Sequence, residues 1–455
     1  MPERTTAARI LAGVFCALLL LPGARRANAQ TAAPAPAERF RLGNGLEVVL
    51  LPDRATQVVA VEVWYEAGTR HDPAGKAGLA QLFERLMFAG STNVPRGGHA
   101  RIVEDVGGRI VAAVDDEVAR FGQVLPSNRL ALGLWLEAER MRGVALDDSV
   151  VAAAVSRRLS ELSEQAAREP YRNALLRGLA AVYDSAACTT AYVRSLAEMI
   201  AGTATLRAAE MRAFFATWYV PGNARLVVAG DFESAATRAL IETYFGGIRA
   251  APQPEQTPCR SAAPSGRQRI ALAEPDVAQS AAGVFYPIPG HGHADIPALE
   301  LIEIIFARGS FAHISRALAA EPTRAVGWQA GILGLRRAPG VFGFFGVAGP
   351  GVSADSLAGF FASQAAWAAG DGIRESDLVR AKQIRLATVA STMERPGDIA
   401  RSAHHGEAFH PGHPPGGTPE EVSGAVTLDE LRRVARTYLV PERAVTLLVS
   451  PGAAE

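Results

Sequence analysis

A twofold internal repeat is the feature of this sequence that most restricts its fold. Residues 210–221 line up with residues 430–441, roughly 220 positions later, and each segment runs directly into an apolar stretch. Near the other end of each copy, residues 63–65 (Val-Trp-Tyr) pair with residues 284–286 (Val-Phe-Tyr). A repeat unit of this length indicates two similar domains, because the units of a solenoid are only about 20–50 residues long.

Each copy combines strand patterns with helix patterns. Residues 57–65 are rich in β-branched and aromatic residues, whereas residues 77–88 place their apolar side chains at helical spacing. This combination predicts an α+β fold in which each domain is a mainly antiparallel sheet covered by helices. The predicted domains span residues 38–248 and 268–455, and a linker rich in Pro, Gln and Ser joins them at residues 249–267.

Residues 1–29 have the pattern of an export signal. A short basic start precedes an apolar run at residues 10–21, and residues 27–29 (Ala-Asn-Ala) provide the small side chains for cleavage after Ala29. We therefore expect a periplasmic or secreted protein that begins with a low-complexity leader at residues 30–37. Two arginines close to the expected cut leave an uncleaved anchor as the alternative. No later apolar run is long enough for a membrane span, so none is expected after cleavage.

The charge balance excludes one class of partner. Lysine and arginine together number 46, and so do aspartate and glutamate, so the formal net charge is zero. The positive charges are scattered along the chain without a basic run. Because nucleic-acid binding requires clustered positive charge, we expect no nucleic-acid partner.

Two cysteines, Cys188 and Cys259, remain after the expected cleavage. An even number of cysteines in an exported protein permits a disulfide between them. Two separate thiols are the alternative, and the spacing of the cysteines does not choose between the two.

The segment at residues 78–91 reads Gly-Leu-Ala-Gln-Leu-Phe-Glu-Arg-Leu-Met-Phe-Ala-Gly-Ser. It resembles the zinc-site helix of the pitrilysin/insulinase family of inverted zincins, which includes the mitochondrial processing peptidase and small bacterial members. The family pattern is Gly-x-Ala-His-x-x-Glu-His-Met-x-Phe-x-Gly-(Ser/Thr). The resemblance covers essentially the whole mature chain, including residues 218–230, 295–299 and 438–450. It implies two similar domains that together form half of a clamshell.

In that family the pattern has a direct chemical purpose. The His-x-x-Glu-His segment places two imidazoles four residues apart on one helix face, where both reach one Zn²⁺. The Glu between them takes a proton from the metal-bound water as general base. A distant Glu completes the ligand set.

The resemblance puts Gln81 and Arg85 at the two histidine positions and leaves Glu84 at the general-base position. Glu161 falls at the third ligand position, with Glu164 as the alternative register. A neutral amide is a poor zinc ligand, and a guanidinium stays protonated in proteins and repels a cation. We therefore expect no zinc cofactor and no intact catalytic residue, with an ion pair at the vacated position. The alternative is that these side chains are ordinary helix-surface charges.

The residues expected to hold a substrate are altered as well. In non-catalytic partner subunits, the resemblance implies an Arg and a Tyr within a Leu-Arg-Glu…Gly-x-Ala-Tyr pattern of the second domain. The matching stretch, residues 316–328, has Ala319 at the Arg position and Trp328 at the Tyr position once a short insertion around Arg324 is allowed. Because alanine cannot hydrogen-bond a substrate carbonyl through its side chain, Trp328 and Arg324 are the candidate substrate-binding residues.

These features together predict an exported, non-catalytic homologue of zinc metallopeptidases, that is, a pseudoenzyme. The resemblance implies a heterodimer in which a zinc-bearing subunit of the same family hydrolyses extended or unfolded peptides. Two alternatives stay open, a scaffold that binds peptides or proteins with no role in hydrolysis and an active zinc metalloendopeptidase with an unusual site. Only the last requires stoichiometric zinc, and co-purification with a zinc-bearing relative separates the first two.

Overall fold

The structure, a computed structural model, describes residues 37–55, 57–183, 192–255, 267–334, 339–392, 397–398 and 423–452. Over these ranges the chain forms two β-sheets and a series of α-helices. The expected export signal at residues 1–29 lies outside the described residues, and so do Cys188 and Cys259 and most of the predicted leader and linker.

The first sheet has six strands. They are β1 (Glu38–Arg41), β2 (Glu47–Pro52), β3 (Val58–Tyr65), β4 (Arg109–Val114), β5 (Ala119–Pro126) and β6 (Ala224–Gly230). Their order across the sheet is β1-β2-β6-β3-β5-β4, and neighbours are antiparallel except for the parallel pair β2 and β6. The central strand β3 is buried along almost its whole length, because its alternating valines fit a sheet that is covered on both faces.

The second sheet has five strands. They are β7 (Gln268–Glu274), β8 (Ala281–Ile288), β9 (Ala325–Gly334), β10 (Gly340–Ala348) and β11 (Val445–Pro451). Their order is β7-β11-β8-β10-β9, again with a single parallel pair, β7 and β11.

The two sheets share one topology. The order β2-β6-β3-β5-β4 in the first sheet matches β7-β11-β8-β10-β9 in the second, and the parallel pair occupies the same place in both. Strand β1 is an addition to the first sheet without a counterpart among the described strands. The predicted α+β class with two similar, mainly antiparallel sheets is therefore confirmed.

Helices connect the strands of both sheets. They are α1 (Leu79–Leu86), α2 (Gly98–Asp105), α3 (Leu130–Arg142), α4 (Asp148–Arg168), α5 (Arg172–Ala180), α6 (Leu196–Ala204), α7 (Ala208–Trp218), α8 (Ser234–Phe245), α9 (Ile296–Ala307), α10 (His313–Ala320), α11 (Ala354–Ala369), α12 (Glu375–Thr392) and α13 (Leu428–Tyr438). Each half of the chain has a large apolar core of its own. Of the helices that the structure describes, none has both the length and the apolar character needed to cross a bilayer.

Helix α5 belongs to the first half of the sequence but packs on the second sheet. Gly178 lets the helix come close, because a Cβ atom there would lie 2.5 Å from the Phe285 ring and 3.1 Å from Leu447. The Tyr171 hydroxyl donates a hydrogen bond to the Gln279 carbonyl at 3.0 Å. The first half thus covers one face of the second sheet, and a further apolar cluster around α5 joins the two halves.

Candidate functional site

Helix α1 carries three of the predicted site residues, and Asp72 fixes its first turn. The Asp72 carboxylate accepts hydrogen bonds from the amides of Gly78 and Ala80, both at 2.8 Å. Burial raises the pKa of Asp72 to about 7, against the opposing effects of these amides and of Arg194. Gly78 has φ 89°, a left-handed conformation that glycine adopts readily. These hydrogen bonds therefore fix the position of the first turn of α1 relative to Asp72.

Arg85 on α1 and Glu161 on α4 form an ion pair with two hydrogen bonds. Arg85 Nη1 donates to Glu161 Oε2 at 3.0 Å, and Nη2 donates to Oε1 at 2.6 Å. These hydrogen bonds raise the pKa of Arg85 and lower the pKa of Glu161. Both groups therefore stay charged at neutral pH, and the pair links the two helices.

An arginine of α4 binds the side chain of Gln81. Arg158 Nη2 donates to Gln81 Oε1 at 2.6 Å, and Arg158 Nη1 lies 3.7 Å from Glu161 Oε2. Both positions that the resemblance assigns to metal-binding histidines are thus tied to α4 through arginines. Our sequence analysis did not single out Arg158, although its place one helical turn before Glu161 puts it on the same helix face.

Glu84 makes a different contact from its neighbours on α1. Its Oε1 atom accepts a hydrogen bond from the backbone amide of Val114, the last residue of β4, at 3.0 Å. Glu164, the alternative register for the third ligand, accepts instead from Arg168 on its own helix at 3.1 Å. Of the two candidate carboxylates, Glu161 is the one that reaches α1.

The side chains between α1 and α4 do not fit a zinc ion. Zinc in proteins is bound by thiolate, imidazole and carboxylate ligands. The set here is one amide, two guanidinium groups and one carboxylate, and the carboxylate of Glu161 is already bound to Arg85. Within the described ranges, no group of three or more His, Cys, Asp or Glu residues is placed to hold a metal ion.

The candidate substrate-binding residues lie in the second half, at the start of β9. Arg324 Nε donates to Glu321 Oε2 at 2.7 Å, and the guanidinium lies 5.2 Å from the centre of the Phe360 ring. Trp328 is partly buried against the second core. Both side chains are therefore engaged within the second half, and neither belongs to the cluster between α1 and α4.

The second half repeats part of this cluster on the corresponding elements. Glu300 on α9 pairs with Arg385 on α12 at 2.9 Å, as Gln81 on α1 pairs with Arg158 on α4. In both halves an arginine of the longer helix, α4 or α12, binds the helix that follows the central strand, α1 or α9. The repeat found in the sequence could have located this counterpart, since α9 and α12 follow the same order of elements as α1 and α4.

The counterpart of the Arg85–Glu161 pair is uncharged. By spacing from the paired residues just described, Ile304 on α9 corresponds to Arg85, and Thr388 on α12 corresponds to Glu161. Both Ile304 and Thr388 line a cavity of about 390 Å³ beside β9. The side chains at these two positions are shorter and uncharged in the second half. They leave a space open there, whereas in the first half a salt bridge spans the corresponding space.

Comparison with known protein families assigns the chain. The family described as Insulinase (Peptidase family M16) matches residues 47–189, and the one described as Peptidase M16 inactive domain matches residues 205–385. The chain belongs to peptidase family M16. The family expected from residues 78–91 is thereby confirmed, and the cluster between α1 and α4 lies within the first of the two M16 matches.

Individual relatives resemble the chain over about half of its length or more. Zinc protease PqqE of Helicobacter pylori is 25% identical over 302 residues, which are 66% of this chain and 67% of that protein. The mitochondrial-processing peptidase subunit beta of Blastocladiella emersonii is 24% identical over 215 residues, 46% of this chain and 44% of that protein. The crystal structure of a protease from Helicobacter pylori superposes with a TM-score of 0.80 at 20% identity, covering 92% of this chain and 100% of that one. At that identity the superposition shows a shared M16 fold.

Proposed function

We propose that this chain is an exported, non-catalytic M16 homologue that serves as the partner subunit of a zinc-bearing relative during the hydrolysis of extended or unfolded peptides. The observation that carries the proposal is the ion pair of Arg85 with Glu161. It stands where the resemblance places a histidine ligand and the third, carboxylate ligand. A guanidinium cannot release its proton to become a ligand, so the pair is incompatible with bound metal.

The framework around the site supports a role that does not depend on hydrolysis by this chain. Helix α1 still buries Leu82, Phe83 and Leu86 in the first core, and both sheets keep the same strand order. A chain that retains this framework presents M16-type surfaces to a partner even though its own site lacks metal ligands. One relative is by name a subunit of a processing peptidase, which supports a subunit role, and another is by name a zinc protease.

The proposal is tested by peptide hydrolysis in a mixture. The second protein is an M16 relative with an intact His-x-x-Glu-His segment from the same organism, and the substrate is a fluorescence-quenched, unstructured peptide. We expect no hydrolysis by this chain alone, faster hydrolysis when it is added to the relative, and a complex on a sizing column. If both the rate and the apparent mass are unchanged by the addition, the partner role is wrong.

A matched control assigns the activity to the right subunit. The relative is tested with the general-base glutamate of its zinc motif changed to glutamine, which removes proton transfer but keeps the metal ligands. We expect the mixture then to be inactive. Residual hydrolysis would show that this chain contributes a working site, as the active-metalloendopeptidase alternative requires.

A scaffold without any role in hydrolysis is the second candidate. The contacts of Arg324 favour it, because a guanidinium engaged with Glu321 and stacked near Phe360 is not presented to a substrate backbone. Binding of the unstructured peptide to this chain, combined with no effect on the relative, is the result expected of a scaffold.

Export is proposed from the pattern of residues 1–29. Fractionation of the producing cells and N-terminal sequencing test it, with the protein expected outside the cytoplasm and beginning at Gln30. Retention of residues 1–29 together with membrane association would favour the uncleaved anchor.

A further inference from the structure

The strand at one edge of the first sheet, β4, has backbone amides that face away from the sheet. Among the strands that the structure describes, β4 lies at the edge of the sheet and pairs with β5 alone. The Asp115 amide donates to the Val118 carbonyl at 3.0 Å and so faces β5. Because successive residues of a strand alternate in direction, the Val114 amide and, two residues earlier, the Ala112 amide face outward.

A carboxylate from helix α1 accepts a hydrogen bond from one of these outward amides. Glu84 Oε1 accepts from the Val114 amide at 3.0 Å. A hydrogen bond to a charged acceptor is roughly twice as strong as one between neutral groups. A peptide carbonyl that approaches this position therefore has to displace a better acceptor.

The second half has the same arrangement at its own edge strand. Glu303 Oε2 on α9 accepts from the Ile332 amide of β9 at 3.3 Å. Gly331 makes room for it, since a Cβ atom there would lie 2.5 Å from Glu303 Cγ. The position before the occupied amide is also small in the first half, where it is Ala113. The same kind of contact thus occurs at matching places in the two halves.

We propose that Glu84 and Glu303 are edge guards, meaning carboxylates that occupy an outward amide of an edge strand and so oppose the addition of a further strand from an extended peptide. Strand addition depends on main-chain hydrogen bonds to just these outward groups. Edge strands that are left uncovered pair readily with other chains, and charged side chains are a common protection. Glu84 therefore has a role that needs neither a metal nor catalysis.

The proposal is tested by removing the carboxylate from the first edge. The probe is a fluorescein-labelled short peptide of alternating threonine and valine with arginine at both ends. In fluorescence anisotropy we expect Glu84→Ala to bind the peptide about tenfold more tightly than the wild type. The reason is that the peptide can then form one more main-chain hydrogen bond with β4 without displacing a carboxylate. Glu84→Gln is the matched control, because its amide oxygen keeps an acceptor at the same place but without the charge, and its affinity should lie between those of the wild type and Glu84→Ala.

A second variant locates the bound peptide. Ala112→Pro removes an outward donor of β4, a change that an edge strand tolerates. Added to Glu84→Ala, it should abolish the gain in affinity. An unchanged gain would place the peptide elsewhere and overturn the proposal, and so would a folded Glu84→Ala variant that binds no more tightly than the wild type.

Hydrogen exchange tests the guards without any substitution. In the wild-type protein the amides of Val114 and Ile332 should exchange more slowly than the Ala112 amide, which faces outward on the same edge strand as Val114. If Val114 and Ile332 exchange as fast as Ala112, the guards are not formed in solution and the proposal is wrong.

Discussion

At the scale of single residues, the pair of Arg85 and Glu161 matters more for metal binding than for stability. The two side chains are 46% and 36% exposed, so water screens their attraction, and such pairs stabilise a protein by about 0.5–1 kcal/mol at most. The permanent charge of the guanidinium, in contrast, acts directly on any cation at the same place. The substitution of histidine by arginine therefore changes the chemistry of the site at little cost to the fold.

We predict that the purified mature protein contains far less than stoichiometric zinc, as measured by plasma mass spectrometry after dialysis against zinc. The combined change Gln81→His and Arg85→His restores two imidazoles beside Glu161 and should raise the zinc content. Near-stoichiometric zinc in the wild type that disappears when Glu84 and Glu161 are mutated would contradict the prediction.

His99 gives the first core a predictable response to acid. Burial, together with the charge of Arg140, lowers the pKa of His99 to about 3, against a hydrogen bond with Gln123. An unfolded chain has a histidine pKa of about 6.5, so between these values the unfolded state binds the extra proton and is favoured. The contribution of His99 is thus complete above about pH 6.5 and declines as the pH falls.

The matching prediction compares the wild type with His99→Gln, which cannot titrate. Between pH 6.5 and pH 5 the wild type should lose about 2 kcal/mol of unfolding free energy relative to the variant. The comparison is needed because Asp72, with its pKa raised to about 7, acts in the opposite direction over much of this range. Urea unfolding at both pH values measures the difference, and parallel curves for the two proteins would refute the assignment.

At the scale of elements, α5 is held to the second sheet by close packing at a glycine. A Cβ atom at Gly178 would lie 2.5 Å from the Phe285 ring, whereas nothing lies within 4 Å of one at Gly359 on α11. Both glycines are inside helices, where alanine is otherwise preferred by about 0.5–1 kcal/mol. The same substitution at these two positions therefore distinguishes the effect of helix propensity on stability from the effect of packing.

We predict opposite outcomes for the same substitution at these two sites. Gly178→Ala should destabilise the protein by about 1–3 kcal/mol, the usual range for overpacking, whereas Gly359→Ala should stabilise it slightly. Thermal unfolding of the two variants gives the comparison. A stabilised Gly178→Ala variant would show that α5 has room to move away from the second sheet.

At the scale of the whole molecule, the two halves of the repeat are interlocked. The apolar cluster around α5 joins residues of the first half to Phe285, Val341 and Leu447 of the second sheet. The described residues of both halves accordingly belong to one compact unit. A second half without α5 would expose this face of its sheet to water.

We predict that a fragment spanning residues 256–455 is insoluble or unfolded when produced alone and becomes soluble when produced together with a fragment spanning residues 30–255. Exposed apolar surface of this kind costs roughly 25 cal/mol per Å² and favours aggregation. Co-purification and circular dichroism measure the outcome. Cooperative unfolding of the isolated second fragment, at the temperature of the intact chain, would show that the halves fold independently.

Much of the architecture was determined by the sequence alone. Its internal repeat, its strand and helix periodicities and the motif at residues 78–91 predicted two similar α+β halves and the M16 family, and both predictions are confirmed. These features are readable because periodicity and repetition are local properties of a chain, set by side-chain burial on one face of each element. The family resemblance also predicts an ion pair at the vacated metal position, where Arg85 and Glu161 lie.

Only the tertiary structure decided which partner each polar group takes. Gln81 could have faced water, yet it accepts from Arg158, and Glu84 accepts from a backbone amide of β4. Helix α5 belongs to the first half in sequence but packs on the second sheet. The physical reason is that a surface charge has several acceptable partners of similar free energy, and an amphipathic helix has several acceptable apolar faces. The choice among them is made by the positions of elements far apart in the chain, which no local pattern records.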